Sequence, residues 1–172
     1  MHERYNKEIL NLIRSMQNID YIDPQDIPNI DLYMDQVTTF MDEHLESSKR
    51  FDDDKILTKT MINNYVKHKY IKAPVNKKYD KVTVVSLLII ALLKQVYSIN
   101  DISKLISLDV GHNSAAESYD FFCSLMESAV QAVFSGKAFE PADSEMDPRG
   151  ILWNACNSMA SWLYVRNIYL QP

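Results

Sequence analysis

Glycine is nearly missing from this chain: three residues in 172, beside six prolines. So little turn-forming residue excludes a collagen-like or low-complexity chain, and it argues against a many-turned β-sandwich. Cysteine is as scarce. Cys123 and Cys156 lie far apart with no CxxC spacing, which fits neither a zinc site nor a disulfide framework. They read as two buried thiols in a reducing compartment. The longest apolar run, "VTVVSLLIIALL", is too short for the roughly 20 residues that a bilayer requires. The opening "MHERYNKEIL" is charged and lacks the apolar core of a signal peptide. A soluble, cytoplasmic protein is the expectation.

Enzymatic signatures are absent as well. His2, His44, His68 and His112 make no HExxH-like pair, and neither a P-loop nor a GxSxG elbow occurs. The Asp52-Asp53-Asp54 run reads as a solvated loop preceding a helix, since a metal site draws ligands from several directions. No catalytic residue, cofactor or metal is expected.

What the chain does have is helical periodicity and one concentrated patch of charge. Apolar residues make up 47% of the sequence, enough to build a core. Tyr5, Ile9, Leu12, Ile13 and Met16 recur at helical spacing and predict an N-terminal helix within residues 1–26. "DYIDPQDIPNID" is a connector, and Asp31 is a candidate cap for a helix with Tyr33, Val37, Phe40, Met41 and Leu45 on its inner side. Thr58 can cap a helix through "KTMINNYVKHKY" that ends ahead of Pro74. Asp80 can cap "KVTVVSLLIIALLKQV", apolar almost all round and so the central buried helix. Ser98, with Asp101 three residues on, opens a further helix, stapled by Tyr97 and Ile102 and stopped at Gly111. Beyond it, "SAAESYDFFCSLMESAVQAVFSG" predicts a helix with Ser118, Phe122, Leu125, Ala129 and Val133 on one stripe. Asp147-Pro148 then opens the last helix, with Leu152, Ala155, Met159 and Leu163 aligned. No strand-period segment of any length appears. The fold class is all-α, with a short wing around Lys72–Tyr79.

The charge patch lies in Thr58–Lys81. Seven lysines against one acid give it +6, which leaves −11 for the rest of a chain of net charge −5. On a helix, Lys59, Asn63 and Lys67 share one face, flanked by Thr60 and Asn64 and near His68, while Met61, Ile62, Tyr65 and Val66 take the other. Lys72, Lys77, Lys78 and Lys81 carry the charge into the turn that follows. Asparagine is a poor helix former without a partner. Ammonium groups suit phosphate oxygens, and an asparagine amide suits an adenine edge. These residues therefore form the candidate site for double-stranded DNA. A protein-protein interaction module using the same basic face for an acidic partner is the alternative.

The order of polar helix "TKTMINNYVKHKYI", basic turn "PVNKKYD", apolar helix "KVTVVSLLIIALLKQVYSI" and short helix "NDISKLI" resembles a MerR-type winged helix-turn-helix domain. More closely, "IDLYMDQVTTFMDEHL", "LTKTMINNYVKHKYIKAPVNKKY" and "LLIIALLKQVYSINDISKLI" resemble the bacterial domain of unknown function 1836. The chain departs from the MerR pattern in having no arginine in residues 58–81 and a long linker, "ESSKRFDDDKIL". The resemblance implies a helix-turn-helix domain over 27–110, with 111–172 as a C-terminal helical region for dimerisation or effector binding. Trp153, Trp162, Tyr164 and Tyr169, with Phe121, Phe122 and Phe139, concentrate there. A homodimeric transcription regulator with no membrane association is expected. The sequence names no effector.

Overall fold

Side-chain capping fixes where most of the helices begin. In the computed structural model, residues 22, 26–45, 55–108, 114–136, 147–168 and 170 are described. The N-terminal helix expected from Tyr5 to Met16, the Asp52–Asp54 run, Gly111, Phe139 and Tyr169 fall outside them. The chain divides into two compact units, Tyr21–Asp120 and the remainder.

The first unit opens with a strand that the sequence does not announce. β1 is Leu32–Tyr33 and leads straight into α1, Met34–His44. Asp31 is therefore not the cap. Tyr33 stands there, and its N–H donates to Gln36 Oε1 at 2.9 Å, half of a capping box. Val37, Phe40, Met41 and Leu45 are buried as the spacing predicts, but Tyr33 points out to solvent, 50% exposed, because strand pairing sets its direction.

α2, Lys59–Lys67, is capped by the Thr58 hydroxyl, which accepts from the Met61 N–H at 3.2 Å. Ile62 and Tyr65 are its buried residues. The helix ends well before Pro74. The Tyr70 N–H donates to the Tyr65 carbonyl (2.9 Å) and the Lys69 N–H to the Val66 carbonyl (3.0 Å), with Lys69 at φ +61°. That is a Schellman motif with lysine in the left-handed position that glycine usually takes. Once the motif closes, Pro74 has no helix left to stop.

The chain then turns in a hairpin. Val75 and Lys78 exchange both backbone hydrogen bonds at 2.9 Å, and β2, Lys78–Tyr79, pairs antiparallel with β1 in the register Leu32↔Tyr79 and Tyr33↔Lys78. The hairpin is thus Val75–Tyr79, shorter than the expected Lys72–Tyr79. It extends a sheet begun by residues far earlier in the chain. α1 packs against β1, β2 and α2.

Asp80 caps α3, Lys81–Leu93, by accepting from the Thr83 N–H (2.9 Å) and hydroxyl (2.6 Å). Nine of the thirteen residues of α3 are buried, so it is the central helix of this unit. α4, Ile99–Ile106, starts at Ser98 as expected. The Ser98 hydroxyl accepts from the Asp101 N–H and donates to Asp101 Oδ2 at 2.6 Å. α4 packs against α3 and buries Ile102.

α5, Ala115–Ser135, runs on into the second unit and closes at Gly136, whose φ of +65° needs no strain in glycine. Its buried set is Tyr119, Phe122, Cys123, Met126, Ala129, Val130 and Phe134, rotated from the expected stripe: Ser118, Leu125 and Val133 are only half-buried. α6, Pro148–Ile168, opens as predicted, with Arg149 N–H donating to Asp147 Oδ1 at 3.1 Å. Ala155, Cys156, Met159 and Ala160 are buried. Phe134 meets Tyr164 edge-on at 5.1 Å, and Arg149 sits 5.9 Å from the Phe121 ring. These contacts come in the same order along α5 and α6, so the two helices run in the same sense. Both cysteines are free and buried. Burial, reinforced by Cys123 nearby, pushes the Cys156 thiol up to about 12, so it is protonated and unreactive at neutral pH. The fold is mainly α-helical with one small sheet, and among the described residues no helix is long and apolar enough to cross a membrane.

Candidate nucleic-acid interface

The face of α2 opposite Ile62 and Tyr65 is open. Lys59, Thr60, Asn63, Asn64 and Lys67 are all exposed, as are His68 and Lys69 in the turn behind them. On the hairpin Lys72, Val75, Asn76 and Lys77 are exposed, while Lys78 and Lys81 are half-buried. Periodicity therefore places the residues of α2 correctly. What the residues touch divides them further.

Four of the seven lysines are engaged. Lys59 forms an ion pair with Asp35 in the first turn of α1, with both side chains largely in solvent. Lys72 pairs with Asp80 at 3.2 Å, bridging the base of the hairpin. Lys81 donates to Asn29 Oδ1 at 2.6 Å. The Lys78 ammonium lies 4.9 Å from the centre of the Tyr33 ring, its cross-strand neighbour, a cation-π contact. Among the described residues no side-chain partner meets Lys67, Lys69 or Lys77.

Asp80 is the most heavily used acid of the region. Burial by itself would raise its pKa. The Thr83 hydroxyl and amide and the Lys72 ammonium outweigh that and hold the carboxyl below its ordinary value. His68 is also committed. Its Nδ1 lies 2.9 Å from the Asn64 carbonyl, which can only accept, so Nδ1 carries the proton. His44 does the same to the Phe40 carbonyl at 2.9 Å. Each imidazole satisfies a carbonyl in the last turn of its helix.

The hairpin turn has a conformational oddity. Asn76 and Lys77 sit at φ +49° and +64°, the pattern of a two-residue type I′ turn, for which Asn-Gly is the preferred sequence. Lysine there carries strain of about 1–2 kcal/mol. Glycine would relieve it but lose about 0.5–1 kcal/mol of extra chain entropy on folding. Lys77→Gly is therefore expected to stabilise the fold by about 0.5–1 kcal/mol, read as a higher urea midpoint with an unchanged slope.

Sequence reasoning missed two participants. Lys69 lies beyond the end of α2, outside the face that helical spacing marks out, and is exposed at a left-handed backbone position. Tyr33 was assigned to a helix interior. A glycine-free "NKK" between extended residues was the available signal for the turn, and it is weak without the Asn-Gly pair.

Together these elements define a small, mainly α-helical domain with a short two-stranded sheet and exposed lysines on α2 and the hairpin. Residues 22–122 match the family described as Domain of unknown function (DUF1836), and the chain belongs to that family. No curated protein and no solved structure matches it.

Proposed function

We propose that this protein is a non-enzymatic regulator that binds duplex DNA through α2 and the hairpin, in the manner of a MerR-like winged helix-turn-helix, and acts as a homodimer. The observation that carries the reading is the polar face of α2. Asn63, Asn64 and Lys67 are exposed side by side, opposite the buried Ile62 and Tyr65, within a +6 segment of an otherwise acidic chain. The element order β1–α1–α2–hairpin–α3–α4 supports the winged comparison. Phosphate-directed lysines orient a protein on DNA, and amide side chains discriminate base edges. One such motif reads few base pairs, so two-fold pairing would double its reading surface.

The outer face of the sheet favours a second reading. Val75, 65% exposed and bridged to Lys78, and Tyr33, paired with Lys78 from the other side, suit an acidic protein partner with apolar side chains. Titration of the full chain with mixed-sequence duplex DNA at two salt concentrations separates the two. Binding that weakens steeply with salt supports the DNA reading, and its absence at low salt overturns it in favour of the interaction module.

A further inference from the structure

The seven lysines do not form a uniform cationic strip. We infer that the phosphate contacts are made only by Lys67, Lys69 and Lys77, at the C-terminal end of α2 and the hairpin turn, and that Asp35 closes the N-terminal end of α2 to phosphate. This rests on the DNA-binding reading and says which part of the surface touches the backbone.

Lys59 is the first residue of α2. A helix N-terminus normally attracts anions through its unpaired N–H groups and its dipole. At α2 that end carries an acid from another helix. Asp35 is paired to Lys59, and its side chain is 77% exposed, so it faces any approaching phosphate. A phosphate drawn to Lys59 meets a carboxylate at nearly the same distance, and at Debye-length range the pair is close to neutral. Repulsion of like charges is a means of discrimination as much as attraction is.

Lys72 is similarly spent. Its partner Asp80 is held ionised by Thr83 as well as by Lys72, and it is fixed in place as the cap of α3. Lys81 is directed to Asn29, and Lys78 lies over Tyr33.

The remaining three lysines are exposed, and two occupy left-handed backbone positions. Lys69 is at φ +61° and Lys77 at φ +64°. Both sites favour glycine: the C′ position of a Schellman motif and the second central residue of a type I′ turn. The fold gives up stability at both in order to hold a charge there, a pattern expected where strain serves binding. The motifs also fix the two backbones, so each ammonium is offered from a defined position.

A helix-turn-helix commonly contacts DNA through the N-terminal residues of its second helix. The charge pairing here moves the contact toward the other end, leaving Asn63 and Asn64 beside Lys67, which meets no side-chain partner among the described residues. Three phosphates per protomer, six per dimer, correspond to a slope of about −5.4 in log affinity against log salt, at about 0.9 per phosphate.

The test is a fluorescence-anisotropy titration of the full chain with mixed-sequence duplex DNA over about 50–200 mM salt. Lys67→Gln, Lys69→Gln and Lys77→Gln, each present in both protomers, are each expected to flatten the slope by about 1.8, and Lys59→Gln to leave it unchanged. Asp35→Asn is expected to steepen it by about 1.8, because it frees Lys59 in both protomers. Lys69→Gly and Lys77→Gly separate binding from folding, since both should melt higher and still bind less. If Lys59→Gln flattens the slope as much as Lys67→Gln, this assignment falls while the DNA-binding reading stands. A wild-type chain without salt-dependent binding overturns both.

Discussion

Truncating Ile62 to alanine is expected to destabilise the first unit by about 2–5 kcal/mol, whereas Asn63→Ala, one residue along, should change stability by no more than about 0.5 kcal/mol. Ile62 is fully buried and is one of only two buried residues in α2. Alanine is the better helix former, but by less than about 0.7 kcal/mol, so the lost packing and the cavity decide the sign. Asn63 is exposed, and replacing it with alanine brings only the propensity gain. Urea unfolding followed by circular dichroism should show a lower midpoint for Ile62→Ala with its slope retained. A loss below about 1 kcal/mol would mean that α2 is not docked through this face, and the assignment of Asn63, Asn64 and Lys67 to the outer side would go with it.

The second large effect is expected at Asp80. Asp80→Ala should cost about 2–3 kcal/mol, because it removes the cap of α3 and the acceptor of a hydroxyl that is almost fully buried. Thr83 is 3% exposed, and its hydroxyl donates to Asp80 Oδ1. The Lys72 pair adds less, since exposed ion pairs are weak. Asp80→Asn keeps a capping oxygen and an acceptor for Thr83, so it should cost no more than about 1 kcal/mol. The pH dependence distinguishes the two causes. The carboxyl of Asp80 is held below its ordinary 3.8 in the folded state. The unfolded chain therefore binds more protons in that range, and stability rises with pH across it. The charge-dependent contribution is fully present above the ordinary value and disappears as pH falls through the lower, folded one. The wild type should accordingly lose its advantage over Asp80→Asn as the solution is acidified below 3.8. An advantage that stays constant through that range would show that the charge contributes nothing.

Both expectations concern residues that sequence reading places well. Thr58, Asp80, Ser98 and Asp147 open their helices through hydrogen bonds to N–H groups two or three residues away. The partners of such bonds lie in the same short segment, so composition and spacing are enough to find them. The same locality makes the buried side of α2 and the nearly all-round burial of α3 legible, because a helix fixes which residues share a face. The gathering of lysines in residues 58–81 is a matter of counting.

Other features depend on residues brought together from far along the chain. Leu32–Tyr33 is a strand because β2 pairs with it, and nothing in a two-residue segment carries a periodicity to detect. The end of α2 was read from Pro74, the strongest local breaker. The helix instead ends at Lys67 and is closed by Lys69, whose side chain gives no warning of a left-handed conformation. In α5 the mixture of small and aromatic residues admits more than one stripe, and packing chose the one through Tyr119, Cys123, Met126 and Val130.

The sequence by itself thus determined the six described helices, the starting points of those opened by a side-chain cap, the basic segment and the family resemblance. Each rests on interactions among near neighbours or on composition. Only the tertiary structure decided which lysines meet a side-chain partner among the described residues. Asp35, Asn29 and Tyr33 all precede α2, and they reach Lys59, Lys81 and Lys78 through the packing of α1 and the pairing of β1 with β2. A side chain's net electrostatic effect depends on the charge within a few ångströms of it, and distance in space is set by the fold rather than by position in the chain.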